Sequence, residues 1–503
     1  MLARVISYTT LGLDALPVDV EVDASQGLPT FTIVGLPDQA VREARERVRA
    51  ALLNSQLDLP SRRLIVNLAP ADIKKEGGVF DLAIALGILA ASGQLNPAAV
   101  AAVVAVGELA LDGRVRPVPG VLPIARALRK QWRRLLVPAA NAAEASVVHG
   151  VTVVPVRSLS EAVDELSGTR APTPVRRAAR RRAQRCDGDE ADFADVTGQV
   201  HAKRALEIAV AGGHHLLLLG PPGAGKTMLA SRLPTIQPPL SLEEALETTT
   251  IHSVAGLLNG RALLWSRPFR APHHTTSAVA LVGGGTNPKP GEVSLAHHGV
   301  LFLDELPEFH RDAVESLRQP LEEGVVRIAR AKRSLTFPAR FMLVAAMNPC
   351  PCGYFTDPRG RCRCPSTRVA AYLAKLSGPL LDRIDLHVEV PAVPFSALSQ
   401  APGGESSAHI RARVQQATRF RRHRKQSCPN AQLRTRDLSA FCRTSPDADT
   451  LLTSAMKGLG LSARSYSKIL KIARTIADLA AAPRIDAAHA AEAVQYRVKS
   501  LDG

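Results

Sequence analysis

The chain has 503 residues, a length that corresponds to about three domains at roughly 150 residues each. Its composition, 46% hydrophobic and 22% charged residues, is that of a folded globular protein and excludes extensive disorder. The 63 Lys and Arg residues exceed the 46 Asp and Glu residues and give a net charge of +17, which favours polyanionic partners such as nucleic acid.

The chain shows no sign of membrane insertion or secretion. No window approaches the roughly 18 consecutive apolar residues that a membrane helix needs, and the N-terminus lacks the features of a signal peptide. We therefore expect a soluble cytoplasmic protein without a membrane partner.

Residues 1–168 predict an α/β domain. Apolar strand-like runs alternate there with helical patterns, the strands at 30–34, 63–67, 102–106 and 135–138 and the helices at 38–54, 81–92 and 122–131. Residues 169–194 predict a basic linker, because Pro172, Pro174 and the arginine run 176–182 show no apolar periodicity.

Residues 195–393 predict a second α/β domain. Short apolar runs at 215–219, 299–304 and 340–346, with helices between them, are typical of buried parallel strands in a doubly wound sheet. Residues 394–503 show a purely helical pattern. The fold class is therefore α/β with a helical C-terminal region.

Residues 220–227 have the spacing of a phosphate-binding loop, and they stand between an apolar strand and a helix. Glycines allow the backbone amides to surround a phosphate, Lys226 reaches the terminal phosphates, and the Thr227 hydroxyl can hold Mg²⁺. The predicted nucleotide-binding residues are Gly220, Pro221, Pro222, Gly223, Ala224, Gly225, Lys226 and Thr227.

Two adjacent carboxylates, Asp304 and Glu305, follow the next apolar run. We predict that Asp304 holds Mg²⁺ and that Glu305 polarises the attacking water, since phosphoryl transfer depends mainly on positioned groups and neutralised charge. The alternative is a strand followed by an acidic helix cap.

Four of the seven cysteines stand close together, as two Cys-x-Cys pairs: Cys350, Cys352, Cys362 and Cys364. Four thiolates can close a tetrahedral Zn²⁺ site, and four protein ligands leave no open position for catalysis. The spacing differs from the usual Cys-x₂-Cys pairs, so a redox disulfide pair and unligated thiols stay open as alternatives.

The order of these motifs resembles that of AAA+ ATPases of the Mg-chelatase type. It continues with a strand ending at Asn348, Leu-Asp-Arg-Ile-Asp at 381–385 and Leu-Ser-Ala-Arg at 461–464. The segments 269–275, 290–297 and 303–309 are similar to the ComM/YifB proteins within that type, bacterial ATPases linked to DNA processing in natural transformation. The resemblance covers nearly the whole chain.

The resemblance implies ATP and Mg²⁺ as cofactors and roles for three further residues. Asn348 would be the first sensor, which contacts the γ-phosphate and the lytic water. Arg383 would be the arginine finger for the ATP of a neighbouring subunit, and Arg464 the second sensor on the helical lid. A finger acting in trans requires a ring, and the family implies a homo-hexamer. Taken singly, each residue could also be a surface or capping residue.

Residues 324–337 predict a β-hairpin with Lys332 and Arg333 at its tip. In the family that the chain resembles, this hairpin lies inside the ring, where both side chains would contact DNA phosphates without reading bases. A solvated tip is the alternative. Residues 280–291 predict a second pore-facing loop. Histidine pairs at 214–215, 273–274 and 297–298 are interpreted as structural or nucleotide-proximal.

Segments 75–83 and 104–120 resemble the proteolytic domain of Lon. In that resemblance Val79 stands where the nucleophilic serine would be and Leu122 where the lysine would be, so the Ser-Lys dyad is absent. Ser92 with Lys74 or Lys75 could be proposed as a substitute. We expect this domain to lack peptidase activity.

The expected function is an ATP-driven hexameric DNA motor with helicase or branch-migration activity on branched or single-stranded DNA, in homologous recombination during natural transformation. A recombinase is a candidate partner. One alternative is a motor subunit that drives Mg²⁺ insertion into a porphyrin; another is a Lon-like protease, which Val79 and Leu122 disfavour. Stimulation of ATP hydrolysis by DNA separates the first function from the other two.

Overall fold

The computed structural model describes residues 1–129, 133–169, 191–285, 288–329, 334–355, 360–392 and 404–498. The chain forms two compact units: residues 1–182 with 242–264, and residues 183–241 with 265–503. Most of the predicted basic linker, including its arginine run, lies outside the described residues. Within these ranges, no helix combines the length and apolar character that crossing a membrane requires.

The first unit is built on a seven-stranded mixed sheet with the strand order β3-β4-β2-β1-β5-β8-β9. Its elements up to residue 167 are β1 (Leu2–Leu11), β2 (Asp14–Ser25), β3 (Thr30–Val34), α1 (Gln39–Asn54), β4 (Arg63–Ala69), α2 (Asp81–Ala91), α3 (Pro97–Ala101), β5 (Val103–Ala105), β6 (Glu108–Leu109), β7 (Val115–Arg116), α4 (Val121–Leu128), β8 (Arg134–Pro138), α5 (Ala142–Ala145), β9 (Thr152–Val156) and α6 (Leu159–Ser167). Strands β1, β2 and β4 pair antiparallel, whereas β5, β8 and β9 follow β1 in parallel.

The hairpin of β1 and β2 is not among the predicted strands: β2 does have the alternating pattern of a half-buried strand over residues 18–24, whereas β1 does not keep it. Its inner face carries the buried polar side chains Ser7 and Thr9, and Ser7 Oγ donates a hydrogen bond to the carbonyl oxygen of Ala105 at 2.9 Å. Polar residues on the buried face interrupt the alternation of hydrophobicity by which a half-buried strand is recognised. Helix α2 is buried along its whole length, and its continuous apolar run is the unit's central core element.

The second unit contains a five-stranded parallel sheet with the strand order β11-β14-β17-β10-β18. The elements from residue 200 to residue 389 are α7 (Val200–Gly212), β10 (Leu216–Leu219), α8 (Lys226–Ser231), α9 (Leu233–Ile236), α10 (Leu242–Val254), β11 (Phe269–Arg270), α11 (Ala278–Val282), β12 (Gly283–Gly284), β13 (Lys289–Pro290), α12 (Glu292–Leu295), β14 (Val300–Leu303), α13 (Arg311–Glu315), α14 (Arg318–Glu323), β15 (Val325–Ala329), β16 (Ser334–Pro338), β17 (Met342–Met347), α15 (Ser366–Leu373), α16 (Gly378–Leu381) and β18 (Leu386–Glu389). The three predicted strands are β10, β14 and β17, so the predicted α/β class is confirmed.

The C-terminal region is helical, as predicted. It consists of α17 (Ser407–His423), α18 (Thr435–Phe441), α19 (Pro446–Gly458), α20 (Ala463–Leu479) and α21 (Ala487–Val498). Its apolar residues share one core with the sheet, since Ile472, Ala473 and Ile476 of α20 cluster with residues of β10 and β17. The lid is therefore packed on the ATPase sheet of its own chain.

Helix α10 departs from the sequence-based domain order. The sequence analysis places residues 242–264 in the ATPase core, whereas in the structure they belong to the first unit. The contact with α4 is specific: Ser253 O accepts the backbone N–H of Gly120 at 2.9 Å, and Ser253 Oγ donates to Glu144 Oε2 at 2.7 Å. A segment from the middle of the ATPase sequence thus completes the N-terminal unit.

Two half-buried histidines, His215 directly before β10 and His387 in β18, make the stability of the second unit pH-dependent. Burial lowers the pKa of His215 to about 4, against the opposing charge of Asp385. The Nδ1 atom of His215 accepts the backbone N–H of Leu343 at 3.0 Å and must be unprotonated to do so. Burial, aided by the charge of Arg497, likewise lowers the pKa of His387 to about 4.

We expect the unit to lose stability as the pH falls from 7 to 5. Both pKa values in the folded chain lie below the value of about 6.5 in the unfolded chain, so the unfolded chain binds more protons between pH 7 and pH 5. Each histidine therefore lowers the free energy of unfolding by about 2 kcal/mol over this range. The substitution His215→Gln should remove about half of this pH dependence, measured by calorimetry at both pH values. His423→Gln, at an exposed histidine, is the control; an equal effect of both substitutions would contradict the prediction.

Candidate nucleotide-binding site

The phosphate-binding loop follows β10, the strand between β17 and β18. The loop begins at Gly220, which lies against Val390, the residue after β18. A Cβ atom on Gly220 would lie 2.1 Å from the carbonyl oxygen of Val390, so only glycine fits there. Helix α8 begins at Lys226 and points its N-terminus at the loop. Backbone N–H groups and the helix dipole together provide a site for a phosphate.

The two oxygens predicted to hold Mg²⁺ lie side by side. Thr227 begins the first turn of α8, and Asp304 follows β14, two strands away in the sheet. The Thr227 hydroxyl donates to Asp304 Oδ2 at 2.6 Å. A hydroxyl and a carboxylate are ligands that Mg²⁺ takes alongside phosphate oxygens, so these residues fit the ion.

Lys226 and Asn348 meet at the same edge of the sheet. The Lys226 ammonium donates to Asn348 Oδ1 at 3.0 Å and to the carbonyl oxygens of Gly220 and Pro221 at 2.6 and 3.0 Å. Burial lowers the pKa of Lys226, and the charges of Asp304 and Glu305 oppose that shift. The predicted phosphate-binding lysine, both acidic residues and the predicted sensor are thus brought together.

Glu305 has an unusual backbone conformation. Its φ of 52° lies in the left-handed region, which costs a non-glycine residue about 1–2 kcal/mol. Such strain is typical of functional sites. The carboxylate is exposed, and its Oε2 lies 3.5 Å from Nδ1 of His274. Of the three histidine pairs, the pair at 273–274 is the one that reaches the site. His214 and His215 take part in structural contacts instead.

His274 was not among the predicted site residues. It follows β11, the edge strand next to β14, and a two-residue strand gives almost no sequence signal. Its Nδ1 atom lies close enough to Glu305 to influence the orientation of the carboxylate.

We expect His274→Ala to lower kcat for ATP hydrolysis about tenfold with little change in KM, because the carboxylate would lose a positioning partner but ATP would keep its contacts. A coupled ATPase assay measures both constants. His310→Ala, at an exposed histidine outside these contacts, serves as the control. A change confined to KM would contradict the positioning role.

The two predicted arginines lie together and share one acidic partner, Glu322. Arg383 pairs with Glu322 and donates to the carbonyl oxygen of Pro379 at 2.7 Å. Arg464 lies 2.8 Å from Asp382 and 3.9 Å from the same Glu322. The hydrogen bond from Arg383 lowers the pKa of Glu322 and keeps it charged. In the described part of the chain, neither arginine has an ion pair or hydrogen bond to the phosphate-binding loop, Asp304, Glu305 or Asn348.

The predicted DNA contacts can be located only in part. Strands β15 and β16 pair antiparallel, as expected for the hairpin, whereas Lys332 and Arg333 at its tip lie outside the described residues. The short strands β12 and β13 form a second hairpin within residues 280–291. The basic run at 421–425 is divided: Arg422 and Lys425 are exposed, but Arg424 binds Asp478 at 2.6 Å and is structural.

The four clustered cysteines are also brought together. Their Sγ atoms all lie within 4.8 Å of one another, and each cysteine is a free thiol. Cys350 is buried and begins the segment immediately after Asn348 and Pro349.

The positions of the missing protease dyad are apolar in structure as well as in sequence. Val79 packs against a hydrophobic cluster that includes Leu122. The proposed substitutes have other partners: Ser92 Oγ donates to Leu89 O, Lys74 pairs with Glu76, and Lys75 donates to Pro70 O. No hydroxyl is therefore paired with an amine at this location among the described residues.

Sequence comparisons agree with this architecture. The profile described as "Magnesium chelatase, subunit ChlI" matches residues 192–398, "Subunit ChlI of Mg-chelatase" matches 20–141, and "Magnesium chelatase, subunit ChlI C-terminal" matches 404–497. Lon protease 2 of Bacillus subtilis is 30% identical over 156 residues, covering 27% of this chain and 26% of that protein.

Two relatives are similar over nearly their full length. Competence protein ComM of Haemophilus influenzae is 47% identical over 500 residues, 99% of this chain and 97% of that protein. The YifB protein of Escherichia coli is 44% identical over 500 residues, with the same coverage. The assembled nucleotide site, the parallel sheet with its helical lid and these similarities lead to one conclusion: the chain belongs to the ComM/YifB group of Mg-chelatase-type AAA+ ATPases.

Proposed function

We propose that this protein is an ATP-driven motor that moves along DNA as a homo-hexameric ring and promotes branch migration. The observation that carries the ring is the separation of the site into two parts. Lys226, Thr227, Asp304 and Asn348 are joined by hydrogen bonds, while Arg383 is held elsewhere in the same chain. The resemblance to AAA+ ATPases assigns Arg383 as the arginine finger, and the guanidinium that stabilises the transition state would then come from a neighbouring chain.

Charge supports DNA as the substrate. The net charge of +17 is large for a chain of 503 residues, and the exposed Arg422 and Lys425 near the end of α17 have no acidic residue beside them in sequence. Phosphate contacts of this kind provide affinity without sequence specificity, which suits a motor that must pass over any sequence. A relative that is named a competence protein adds natural transformation as the setting.

ATP hydrolysis measured without DNA and with single-stranded, duplex and four-way-junction DNA tests the proposal. We expect stimulation by DNA, strongest with the junction and abolished by Lys226→Ala. Hydrolysis that no DNA changes would overturn it and favour a protein or tetrapyrrole substrate, the alternative that similarity to magnesium chelatase suggests.

The predicted hairpin tip allows a sharper test of the DNA contact. The double substitution of Lys332 and Arg333 by alanine should weaken DNA binding and reduce the slope of log affinity against log salt by about 1.4–1.8, since each phosphate contact contributes about 0.7–0.9. Substituting the exposed Arg42 and Arg49 by alanine removes the same charge from the N-terminal unit and is the control. Equal slopes for both double variants would exclude the tip as a DNA contact.

A further inference from the structure

The four cysteine sulfurs form a cage of a definite size. The Sγ atom of Cys350 lies 3.3 Å from that of Cys352 and 3.8 Å from that of Cys362, and the latter two sulfurs are 3.6 Å apart. A tetrahedral zinc ion with Zn–S bonds of about 2.3 Å holds its sulfur ligands about 3.8 Å apart. A disulfide needs a sulfur separation of about 2 Å, well below these distances. Three of the sulfurs are thus separated by about the distances of a four-thiolate zinc site, and the fourth, of Cys364, lies within 4.8 Å of each of them.

Backbone groups also surround the cage. The backbones of Tyr354 and Arg363 hydrogen-bond to the Cys352 sulfur. The backbone of Cys364 hydrogen-bonds to the Cys362 sulfur, and the backbone of Cys352 to the Cys364 sulfur. Outer hydrogen bonds to the ligands are characteristic of metal sites. Four sulfur atoms within 4.8 Å of one another, surrounded by backbone hydrogen bonds, are thus arranged as the ligands of one metal ion.

The segment that carries the cysteines adjoins the nucleotide site at two points. Cys350 is two residues from Asn348, which accepts a hydrogen bond from Lys226. Gly353 lies directly against the phosphate-binding loop: a Cβ atom there would be 2.4 Å from Cδ and 3.1 Å from Cγ of Pro222. A metal that fixes Cys350 and Cys352 therefore fixes the chain segments that touch the loop.

We propose that Cys350, Cys352, Cys362 and Cys364 bind one Zn²⁺ per chain, and that the metal-bound segment supports Pro222 and Asn348 in the positions that ATP binding requires. The zinc is structural, since four thiolates leave no open coordination position. The proposed support of Pro222 and Asn348 rests on the proposed function, because it requires nucleotide binding at the phosphate-binding loop. The proposed zinc site does not depend on it.

The metal is tested on the full-length protein. Elemental analysis should find one zinc per chain, and Co²⁺ exchanged into the wild-type protein should show the visible absorption of a tetrahedral four-sulfur site. The substitutions Cys352→Ser and Cys364→Ser should each reduce zinc affinity at least about tenfold. Cys428→Ser, at a half-buried cysteine outside the cage, should retain the metal. Wild-type protein that takes up neither zinc nor cobalt would overturn the site.

Two glycines of the same segment test the coupling without removing a ligand. Gly353 and Gly360 have φ values of +84° and +63°, so alanine is strained at both. Of the two, Gly353 is the one that meets Pro222; a Cβ atom on Gly360 has nothing within 4 Å among the residues that the structure describes. We expect Gly353→Ala to retain zinc and to weaken binding of a fluorescent ATP analogue with Mg²⁺ at least about fivefold, and Gly360→Ala to change it less than about twofold.

Equal nucleotide affinities in the two glycine variants, with zinc retained in both, would overturn the coupling. A wild-type protein that holds zinc but binds no nucleotide would contradict the proposed ATPase function and the coupling while supporting the metal site. The failure of one proposal is therefore distinguishable from the failure of the other.

Discussion

Glu305→Gln is expected to abolish most ATP hydrolysis while ATP remains bound. Glutamine keeps the size of the side chain but cannot polarise the attacking water, so kcat should fall about 10²–10⁴-fold. The groups predicted to contact ATP and Mg²⁺, which are Lys226 and the Thr227–Asp304 pair, are unchanged, so the affinity for ATP should stay within about twofold. A coupled ATPase assay and titration with a fluorescent ATP analogue measure the two quantities separately.

Glu308→Gln is the matched control for this substitution. Glu308 is an exposed carboxylate three residues further along the chain, and its partner is Lys375 at 3.4 Å. It undergoes the same chemical change without contact to the nucleotide site, so kcat should be unaffected. Loss of ATP binding in Glu305→Gln, or comparable kcat values in the two variants, would show that Glu305 does not act on the water.

Arg383→Ala is expected to lower kcat about 10³-fold, and mixing should restore part of the activity. Arg383→Ala chains keep an intact nucleotide site, whereas Lys226→Ala chains keep the arginine. If the arginine acts on the ATP of a neighbour, an equal mixture places the two intact halves together at about a quarter of the interfaces in a ring. Activity of the mixture should therefore rise far above that of either variant alone.

The mixing experiment has two informative controls. Arg368→Ala removes an exposed arginine of α15 and should leave hydrolysis unchanged. Mixing Arg383→Ala with Lys226→Ala/Arg383→Ala offers no intact arginine at any interface and should restore nothing. A 1:1 mixture of the single variants that stays as inactive as its components would refute action in trans.

The positions of site residues that follow apolar strands were predictable. Lys226, Thr227, Asp304 and Asn348 each follow an apolar strand, and the C-terminal ends of parallel strands meet at one edge of a sheet. The hydrogen bonds of Thr227 to Asp304 at 2.6 Å and of Lys226 to Asn348 at 3.0 Å agree with this rule. The four cysteines are likewise close in sequence, so a short loop suffices to bring them together.

Pairings between distant elements were not predictable from the sequence. Glu322 lies near the C-terminal end of the short helix α14, and nothing in the neighbouring sequence indicates that it contacts both Arg383 and Arg464. The arginine run at 421–425 reads as one basic surface, yet Arg424 turns inward because Asp478, 54 residues away, lies on the facing helix α20. Periodicity identifies a buried face but not the residues that it meets.

The placement of α10 also has a consequence for how the chain folds. The N-terminal unit uses Ser253 and Thr250, and Arg126 Nη1 donates to Thr250 Oγ1 at 3.2 Å. A nascent chain therefore cannot complete this unit until residue 264 has left the ribosome, by which time β10 and α8 of the second unit have already emerged. The second unit would thus begin to fold before the N-terminal unit is complete. A fragment that ends within the linker would lack α10, a helix of the N-terminal unit.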